Sequence, residues 1–154
     1  MIKKNFLPIA IDISESKILV IGGGSSALKK IKILLLAQAI IEVLSDSFSD
    51  EILALNVKCL QKAYEPSDLN GYFMLFACTD DEELDKQIAK DGRDAGVLVN
   101  VHDKPALCQF VSPAIYRSNN ISVAVSSNGE NVYETIRLRN IIQEYLENLN
   151  TNKI

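Results

Sequence analysis

Apolar residues in this chain fall into short continuous runs separated by polar or amphipathic stretches. A short apolar run bounded by turn residues is typical of a strand buried on both faces of a parallel sheet, whereas apolar residues at every third or fourth position predict a helix. Strands are predicted at Lys17–Ile21, Ile40–Leu44, Val57–Gln61, Tyr72–Cys78 and Gly96–Val101. Because helical segments separate most of these strands, we expect an α/β domain with a parallel sheet.

Three amphipathic segments predict the helices of this domain. The first runs from Ser25 to Gln38, the second lies near Phe48 to Leu55, and the third ends at about Gly92. Thr79 or Asp80 is expected to cap the third helix, and the acidic residues that follow complement the positive end of its dipole. A metal site at this acidic cluster is not expected, because consecutive carboxylates in a first helical turn point in different directions.

The pattern changes after Pro113. Two apolar segments, Ala114–Arg117 and Ile121–Val125, are separated by a turn-forming Ser-Asn-Asn sequence and predict a β-hairpin. A last amphipathic helix is predicted from Val132 to about Leu149. Its apolar face needs a surface to pack on, which either the chain's own core or a partner subunit could supply.

The most informative local sequence is the glycine-rich turn between the first predicted strand and helix, Gly22-Gly23-Gly24-Ser25-Ser26-Ala27. Gly22 permits a tight turn, Gly24 lets the backbone approach a phosphate without an intervening Cβ, and Ala27 lets the helix pack closely on the strand. The helix then presents free N–H groups and the positive end of its dipole to an anion. The turn predicts a dinucleotide pyrophosphate site that includes Gly22, Gly23, Gly24, Ser25 and Ser26; a glycine-rich turn without a ligand is the alternative.

Asp46 and Ser47 follow the second predicted strand, about twenty residues beyond the glycines, where an acidic residue usually hydrogen-bonds the ribose of the dinucleotide. No arginine follows Asp46 to bind an additional phosphate, so NAD is favoured over NADP. The alternative for Asp46 is an exposed loop acid or the N-cap of the helix near Phe48.

The carboxyl ends of the parallel strands are expected to meet at one edge of the sheet, where ligands of this fold class bind. Besides the glycine turn, that edge should carry Thr79 and the sequence Asn100-Val101-His102-Asp103. Asp103 is the best candidate for proton transfer, because an aspartate is ordinarily ionised at neutral pH and can accept a proton. A turn or N-cap role remains open for Asp103, and a loop position without a ligand is the simpler interpretation of His102.

Length and charge limit the classes of function. With 154 residues and a mass of 17.0 kDa, the chain is expected to form one domain at residues 1–112 and a smaller hairpin-helix segment at 113–154. The net charge of −4 and the pI near 5.0 argue against a nucleic-acid partner, which a basic surface would attract.

No apolar run is long enough to cross a bilayer, so no membrane partner is expected. The first residues resemble a signal peptide only faintly, because Pro8 and Asp12 interrupt the apolar stretch. Cys59, Cys78 and Cys108 are odd in number and widely separated, which is typical of buried thiols in a reducing cytoplasm rather than of disulfides or a zinc site.

Several motifs along the chain occur in the order found in one protein family. They are Phe6-Leu7-Pro8, Val20-Ile21-Gly22-Gly23-Gly24, Ala77-Cys78-Thr79-Asp80-Asp81, Asn100-Val101-His102-Asp103, Phe110-Val111-Ser112-Pro113-Ala114 and Val123-Ala124-Val125-Ser126-Ser127. Together they extend from about Phe6 to Glu147 and resemble precorrin-2 dehydrogenase, the N-terminal module of siroheme synthase. An ordered set of this kind is far more specific than a single glycine motif.

The resemblance implies a Rossmann-type NAD-binding sheet whose C-terminal hairpin and helix pair two chains into a homodimer. It implies NAD-dependent oxidation of precorrin-2 to sirohydrochlorin, with insertion of ferrous iron in some members. The catalytic aspartate of the family falls on Asp103. The family's cofactor contacts fall on Gly22, Gly23, Gly24, Ser25, Ser26, Asp46, Ser47, Thr79, Asn100 and Val101. Ser127 matches a serine that is phosphorylated in some members.

A tetrapyrrole substrate carries many carboxylates, so cationic side chains are expected near it. The candidates are Arg117, Lys104, and Arg137 or Arg139 of the last helix. Ser127, Asn128 and Gly129 are also expected to contact the substrate. The segment Asn128–Val132 departs from the family pattern, and we expect no counterpart of the small helical domain that often follows. The substrate end of the resemblance is therefore less complete than its NAD end.

Two other functions remain open. A non-catalytic regulatory module would bind NAD or a tetrapyrrole through the same glycine turn without needing Asp103. A ferrochelatase or tetrapyrrole carrier would bind its ligand without responding to NAD. No set of His, Cys and carboxylate residues in the sequence has the spacing of a metal site, so no metal ligand is assigned.

Overall fold

A computed structural model describes residues 4–151 of the chain. The chain divides into two compact units. The larger unit is Ile11–Phe110, and the smaller consists of the described parts of Met1–Ala10 and Val111–Ile154. Each unit has its own sheet, which is parallel in the larger unit and a two-stranded antiparallel hairpin in the smaller.

The larger unit is built on a five-stranded parallel sheet. Its strands are β1 (Lys17–Ile21), β2 (Ile40–Ser45), β3 (Lys58–Gln61), β4 (Met74–Ala77) and β5 (Leu98–Val101). Their order across the sheet is β3-β2-β1-β4-β5, and every neighbouring pair is parallel. This is the order of the Rossmann fold, in which the direction of strand addition reverses at β1 and leaves a crevice outside the carboxyl ends. The predicted fold class is therefore confirmed.

Helices cover both faces of this sheet. The helices of the larger unit are α1 (Ser25–Leu36), α2 (Asp50–Leu53) and α3 (Glu82–Asp94). Ile31 of α1 packs in one buried cluster with Val20 and Phe76. At Gly92 of α3, an added Cβ would lie 2.8 Å from a methyl group of Leu75. Since Leu75 and Phe76 are adjacent in β4, they point to opposite faces, and so α1 and α3 pack on opposite sides of the sheet.

The cap of α3 is Asp81 rather than Thr79 or Asp80, so the predicted cap is wrong. The Asp81 carboxylate accepts hydrogen bonds from the backbone N–H groups of Glu83 at 2.9 Å and Leu84 at 3.1 Å. The Thr79 hydroxyl lies 3.0 Å from the carbonyl oxygen of Asp81 instead. Asp81 is the acid whose side chain reaches the first free amides of the helix, and these would otherwise lack a partner.

The smaller unit contains the predicted hairpin and a long helix. Its elements are β6 (Ala114–Ser118), β7 (Ile121–Val125) and α4 (Val132–Thr151). The helix packs against both strands of the hairpin. The Asn131 side-chain oxygen accepts a hydrogen bond from the N–H of Glu134 at 3.0 Å, which caps the helix. The N-terminal segment joins this unit because the Asn128 side-chain oxygen accepts a hydrogen bond from the N–H of Phe6 at 3.0 Å.

Candidate functional site

A cleft of about 370 Å³ lies at the carboxyl ends of β1, β2 and β4 in the larger unit. Its walls are the glycine turn after β1, the loop after β2, the segment after β3 and the loop after β4. The predicted site residues that line it are Gly22, Gly23, Gly24, Asp46, Ser47 and Thr79. Lys62 and Tyr64 also line the cleft and were not predicted from the sequence.

Two of the three glycines are required by the neighbouring backbone. Gly22 has a φ of +131°, which favours glycine, and a Cβ at this position would collide with the carbonyl oxygen of Cys78. A Cβ at Gly23 would collide with the carbonyl oxygen of Ser47. The glycine turn is thus packed directly against the loops that follow β2 and β4, which brings the three loops together.

Gly24 differs from the other two glycines. A Cβ added at Gly24 would meet no heavy atom within 4 Å. Gly24 is the N-cap residue of α1, and no side chain caps this helix end; Ser25 and Ser26 form its first turn. Ala27 is fully buried, as expected for close packing of α1 on the sheet. The uncapped amino end of α1 therefore opens on the cleft, an arrangement that fits a pyrophosphate group.

Asp46 lies in the exposed loop after β2. Its carbonyl oxygen accepts a hydrogen bond from Nε2 of Gln61 at 3.1 Å, which fixes the loop against the end of β3. The N-cap of α2 is Ser49, whose hydroxyl oxygen accepts a hydrogen bond from the N–H of Ile52 at 3.4 Å. The N-cap alternative for Asp46 is therefore excluded, and its carboxylate can accept hydrogen bonds from a ribose in the cleft.

Lys62 adds a positive charge to the cleft wall, but two carboxylates hold it. Its Nζ lies 3.0 Å from Glu65 and 2.9 Å from Asp68. Hydrogen bonds to Asp68 and Glu65 raise the pKa of Lys62, so the ammonium form is favoured. The two acids offset the charge of Lys62 and reduce its attraction for an additional phosphate.

Asp103 lies in the turn that follows β5, in the same unit as the cleft. Its φ of +56° is left-handed, a conformation that aspartate adopts more readily than most residues. The side chain is 82% exposed, and one carboxylate oxygen lies 3.3 Å from Nε2 of His102. The N–H of His102 donates to the carbonyl oxygen of Ala77 at 2.9 Å, which ties this turn to the end of β4. The turn interpretation of Asp103 is confirmed, and the turn leaves the carboxylate accessible.

Lys30 of α1 is a cation near this turn that sequence reasoning missed. Its Nζ lies 5.0 Å from the centre of the Phe76 ring, a cation–π contact. Burial lowers the pKa of Lys30, whereas electrostatic interactions with Cys78, Cys108 and Asp103 act in the opposite direction. Lys30 thus places a positive charge against the Phe76 side chain of β4.

A buried carboxylate also joins the loops after β4 and β5. Asp85 of α3 is only 1% exposed, and it accepts hydrogen bonds from the Thr79 hydroxyl at 2.6 Å and from Nζ of Lys104 at 2.7 Å. Lys104, a candidate anchor for substrate carboxylates, thus already pairs with a carboxylate of the protein. The sequence signal for Asp85 is its helical spacing to Ile88 and Gly92, which puts a charge on the buried face of α3.

Asn100 and Val101 lie in β5 and are not among the described residues that line the cleft. Nδ2 of Asn100 donates to the carbonyl oxygen of Phe110 at 2.9 Å and lies 3.6 Å from Sγ of Cys108. The N–H of Val101 lies 3.1 Å from the same sulfur. These groups hold the segment around Cys108 against β5, and a cofactor contact at either residue stays a prediction.

The residues predicted to bind substrate lie in the smaller unit. Arg117 is exposed in β6. The Ser127 hydroxyl oxygen accepts a hydrogen bond from the N–H of Asn131 at 2.9 Å. Asn128 and Gly129 have φ values of +57° and +76°, so they form the turn that leads into α4. Their role in substrate binding stays a prediction.

The three cysteines are free thiols, and burial raises the pKa of Cys78 to about 12.

Within residues 4–151, no group of three or more His, Cys, Asp or Glu side chains is arranged to hold a metal ion. No helix in the described part of the chain is long and apolar enough to cross a membrane.

The larger unit matches the sequence model of a known family. Residues 9–114 match the family described as "Putative NAD(P)-binding". This range includes all of the sheet, the glycine cleft and the Asp103 turn.

Siroheme synthases are among the curated proteins similar to this chain. The siroheme synthase of Pseudomonas fluorescens (strain SBW25) is 36% identical over 129 residues, which are 81% of this chain and 28% of that protein. That of Thioalkalivibrio sulfidiphilus is 31% identical over 146 residues, 92% of this chain and 30% of that protein. The chain therefore spans less than a third of the length of these curated relatives. The resemblance predicted from the ordered motifs is confirmed.

A solved structure has the same fold. The structure of SirC, a precorrin-2 dehydrogenase, superimposes with a TM-score of 0.77 and is 24% identical in sequence. The superposition covers 91% of this chain and 70% of SirC. At this level of identity the similarity establishes the Rossmann-type architecture.

Proposed function

The chain belongs to the NAD(P)-binding family whose model matches residues 9–114, and from this premise we propose that it is an NAD-dependent dehydrogenase that oxidises precorrin-2 to sirohydrochlorin. The similarity to siroheme synthases and the resemblance of the ordered motifs to precorrin-2 dehydrogenase support this substrate. The observation that carries the proposal is the accessible Asp103 turn, which lies in the same sheet unit as the glycine cleft and is hydrogen-bonded to the end of β4.

Three features of the cleft fit a dinucleotide. The uncapped amino end of α1 at Gly24 would donate hydrogen bonds to the pyrophosphate. The Asp46 carboxylate would accept hydrogen bonds from the adenosine ribose, and Thr79 would contact the cofactor at the end of β4. Bound NAD supplies the hydride acceptor of the reaction.

The cleft also favours NAD over NADP. Asp46 places a negative charge where the ribose would lie, and it would repel a 2′-phosphate. Lys62, the cation in the cleft wall, is paired with Glu65 and Asp68. Both features disfavour a second phosphate at the adenosine end.

Asp103 is the proposed proton acceptor. Oxidation of a reduced tetrapyrrole by one NAD removes one hydride and one proton, and an ionised carboxylate at the substrate can take up that proton. The turn at Asp103 holds the backbone in one conformation while 82% of the side chain stays exposed. This arrangement lets the carboxylate reach a substrate without first breaking a buried interaction.

Substrate carboxylates would be held by cations of the smaller unit. Arg117 is exposed on the hairpin. Nε of Arg139 is buried and has no hydrogen-bond partner among the described residues, although its guanidinium donates to the carbonyl oxygen of Ile115 at 3.2 Å. The turn at Ser127, Asn128 and Gly129 would complete this contact region.

A homodimer is the proposed assembly. Large apolar side chains on α4 are exposed, and a second copy of this helix could cover them. They include Val132, Tyr133, Ile141, Tyr145 and Leu149. Sedimentation velocity would test the assembly: replacement of Ile141 by Glu is expected to convert dimer to monomer, and a monomeric wild-type chain would contradict it.

Absorbance with purified precorrin-2 and NAD tests the activity. We expect the wild-type chain to form sirohydrochlorin and NADH together. The rate of their formation should be lower by about 100-fold or more with Asp103→Ala. Asp12→Ala, at an exposed acid far from Asp103 in the sequence, is the matched control and should keep the wild-type rate. Full activity of Asp103→Ala would overturn the assignment of Asp103.

The absorbance assay, together with calorimetry and added iron, separates the alternatives. Binding of NAD in calorimetry without turnover of precorrin-2 would favour the regulatory module. Siroheme formation on addition of ferrous iron to sirohydrochlorin would support the chelation implied by the resemblance. Iron insertion without any response to NAD would favour a chelatase over a dehydrogenase.

A further inference from the structure

Asp85 is a buried charge that the proposed chemistry does not use directly. It lies on the first turns of α3, is 1% exposed, and packs on the same helix face as the fully buried Ile88. A carboxylate in such surroundings is costly unless it is paired and hydrogen-bonded. Both of its oxygens have a partner: Oδ1 accepts from the Thr79 hydroxyl at 2.6 Å, and Oδ2 accepts from Nζ of Lys104 at 2.7 Å.

The two partners come from different strand-end loops. Thr79 follows β4 and lines the glycine cleft, whereas Lys104 follows β5 and is the residue after Asp103. The backbone N–H of Lys104 also donates to the carbonyl oxygen of Val101 at 3.3 Å. Lys104 is thus fixed through both its backbone and its side chain, and these bonds hold the turn in which Asp103 lies.

We propose that Asp85 is a positioning residue, which ties the loop at Thr79 to the turn that carries Asp103. It would thereby keep the proton acceptor, Asp103, in a fixed position relative to the loop that contacts NAD. This inference rests on the proposed dehydrogenase function. It also assigns Lys104 a structural partner within the sheet unit rather than a substrate carboxylate. The hydrogen bond to Asp85 raises the pKa of Lys104, in agreement with a maintained ion pair.

Three substitutions dissect the link. Asp85→Asn keeps the size of the side chain and an oxygen for Thr79 but loses the charge that binds Lys104. Lys104→Met keeps an unbranched side chain and removes the ammonium, and Lys104→Arg restores a cation. Asp94→Asn is the matched control, because its exposed carboxylate on the same helix pairs with Lys90 at 2.8 Å and touches neither loop.

Kinetics and NAD binding should respond differently to these changes. Lys104→Met is expected to lower kcat about tenfold or more and to leave the Kd for NAD within about twofold, because only the Asp103 turn is released. Asp85→Asn should lower kcat and also weaken NAD binding, since the neutral amide oxygen holds the Thr79 hydroxyl less strongly than the carboxylate does. The variant that combines Asp85→Asn with Lys104→Met should have a kcat no lower than that of Asp85→Asn alone. Lys104→Arg should retain most of the wild-type kcat.

Backbone amide NMR gives a readout that needs no turnover. In Asp85→Asn, the signals of both Thr79 and Asp103 should shift, while Asp94→Asn should move neither. An inactive wild-type chain would contradict the dehydrogenase function yet leave this test intact. The proposal is overturned if Lys104→Met has wild-type kcat and an unchanged Asp103 signal, or if Asp85→Asn behaves like Asp94→Asn. If Asp85→Asn fails to fold, the two Lys104 variants decide.

Discussion

Gly23 lies directly against the carbonyl oxygen of Ser47, so that no side chain fits between the glycine turn and the loop after β2. The same two loops are joined by a hydrogen bond from the N–H of Ser49 to the carbonyl oxygen of Gly23 at 2.9 Å. Asp46, the proposed ribose ligand, precedes Ser47 in this loop. Backbone contacts between Gly23 and the loop after β2 therefore position the pyrophosphate end of the cleft relative to its ribose end.

Replacement of Gly23 by Ala should break this contact. The added Cβ meets backbone rather than a flexible side chain, so the two loops must separate. We expect a loss of about 1–3 kcal/mol in the free energy of unfolding, typical of an overpacked interior, together with weaker NAD binding. Urea denaturation and calorimetry measure the two effects. Wild-type stability in Gly23→Ala would show that the loops can shift freely.

Replacement of Gly24 by Ala should separate binding from stability. Its Cβ meets no protein atom, so the free energy of unfolding should change by no more than about 1 kcal/mol, the scale of an N-cap effect. NAD binding should weaken by about tenfold if the pyrophosphate approaches this backbone closely. An unchanged Kd for NAD in Gly24→Ala would place the pyrophosphate elsewhere.

The glycine turn illustrates what the sequence could predict. A strand, three glycines and a helix are contiguous, so periodicity and motif spacing locate the turn and the cleft without any knowledge of distant residues. The reason for Gly23 could not be predicted, because it depends on Ser47 in a loop that is remote in the chain. The motif predicted that the backbone at Gly24 lies close to a phosphate of the ligand. The open space around Gly24 is compatible with that role.

Side-chain partners remote in sequence account for most of what was missed. Asp85 was not singled out from the sequence, because its partner Lys104 is nineteen residues away in the chain. Asn100 was placed at the cofactor edge because it ends a parallel strand, yet its amide is hydrogen-bonded to the carbonyl oxygen of Phe110. Strand position predicts which edge a residue is near, but not which neighbour its side chain meets.

Asp46→Asn should change cofactor choice. Loss of the charged acceptor is expected to weaken NAD binding by about tenfold, since hydrogen bonds to charged groups contribute about 1.5–3 kcal/mol. NADP should bind no worse, because a repulsive charge is removed. Calorimetry with both dinucleotides measures the ratio, and Asp50→Asn, an exposed acid at the start of α2, is the control. An affinity for NAD equal to that of the wild type would rule out a ribose contact by Asp46.

Glu65→Gln should raise the affinity for NADP by releasing Lys62 in part. Lys62 would keep only Asp68 as an anionic partner, so its ammonium could better attract a 2′-phosphate. The Kd for NADP should fall relative to the Kd for NAD. The change should be largest at low ionic strength, where such attractions are least screened. Glu51→Gln, another exposed acid in the sheet unit, serves as the control. A ratio that stays at the wild-type value would exclude Lys62 from the phosphate end of the cleft.

Glu42 in β2 couples the stability of the sheet to pH. Its carboxylate accepts a hydrogen bond from the Tyr72 hydroxyl at 2.7 Å and lies 3.1 Å from Nζ of Lys58 and 3.2 Å from Nζ of Lys17. Burial alone would raise the pKa of Glu42, but the hydrogen bonds from Tyr72, Lys58 and Lys17 outweigh burial, and the pKa lies below its usual value. The folded state therefore favours the ionised form more than the unfolded state does.

Glu42→Gln should reduce stability by about 1–3 kcal/mol at neutral pH, because the charged acceptor shared by Tyr72 and two lysines is lost. A folded-state pKa below the unfolded-state pKa gives stabilisation that is complete above the unfolded-state value, about 4.3, and is lost as the pH falls through the folded-state value. The difference in unfolding free energy between wild type and Glu42→Gln should therefore shrink as the pH is lowered below about 4. Urea denaturation at a series of pH values measures this, with Glu51→Gln as an exposed control that should track the wild type. A difference that stays constant down to the acid transition would mean that Glu42 stabilises the sheet by packing and not by its charge.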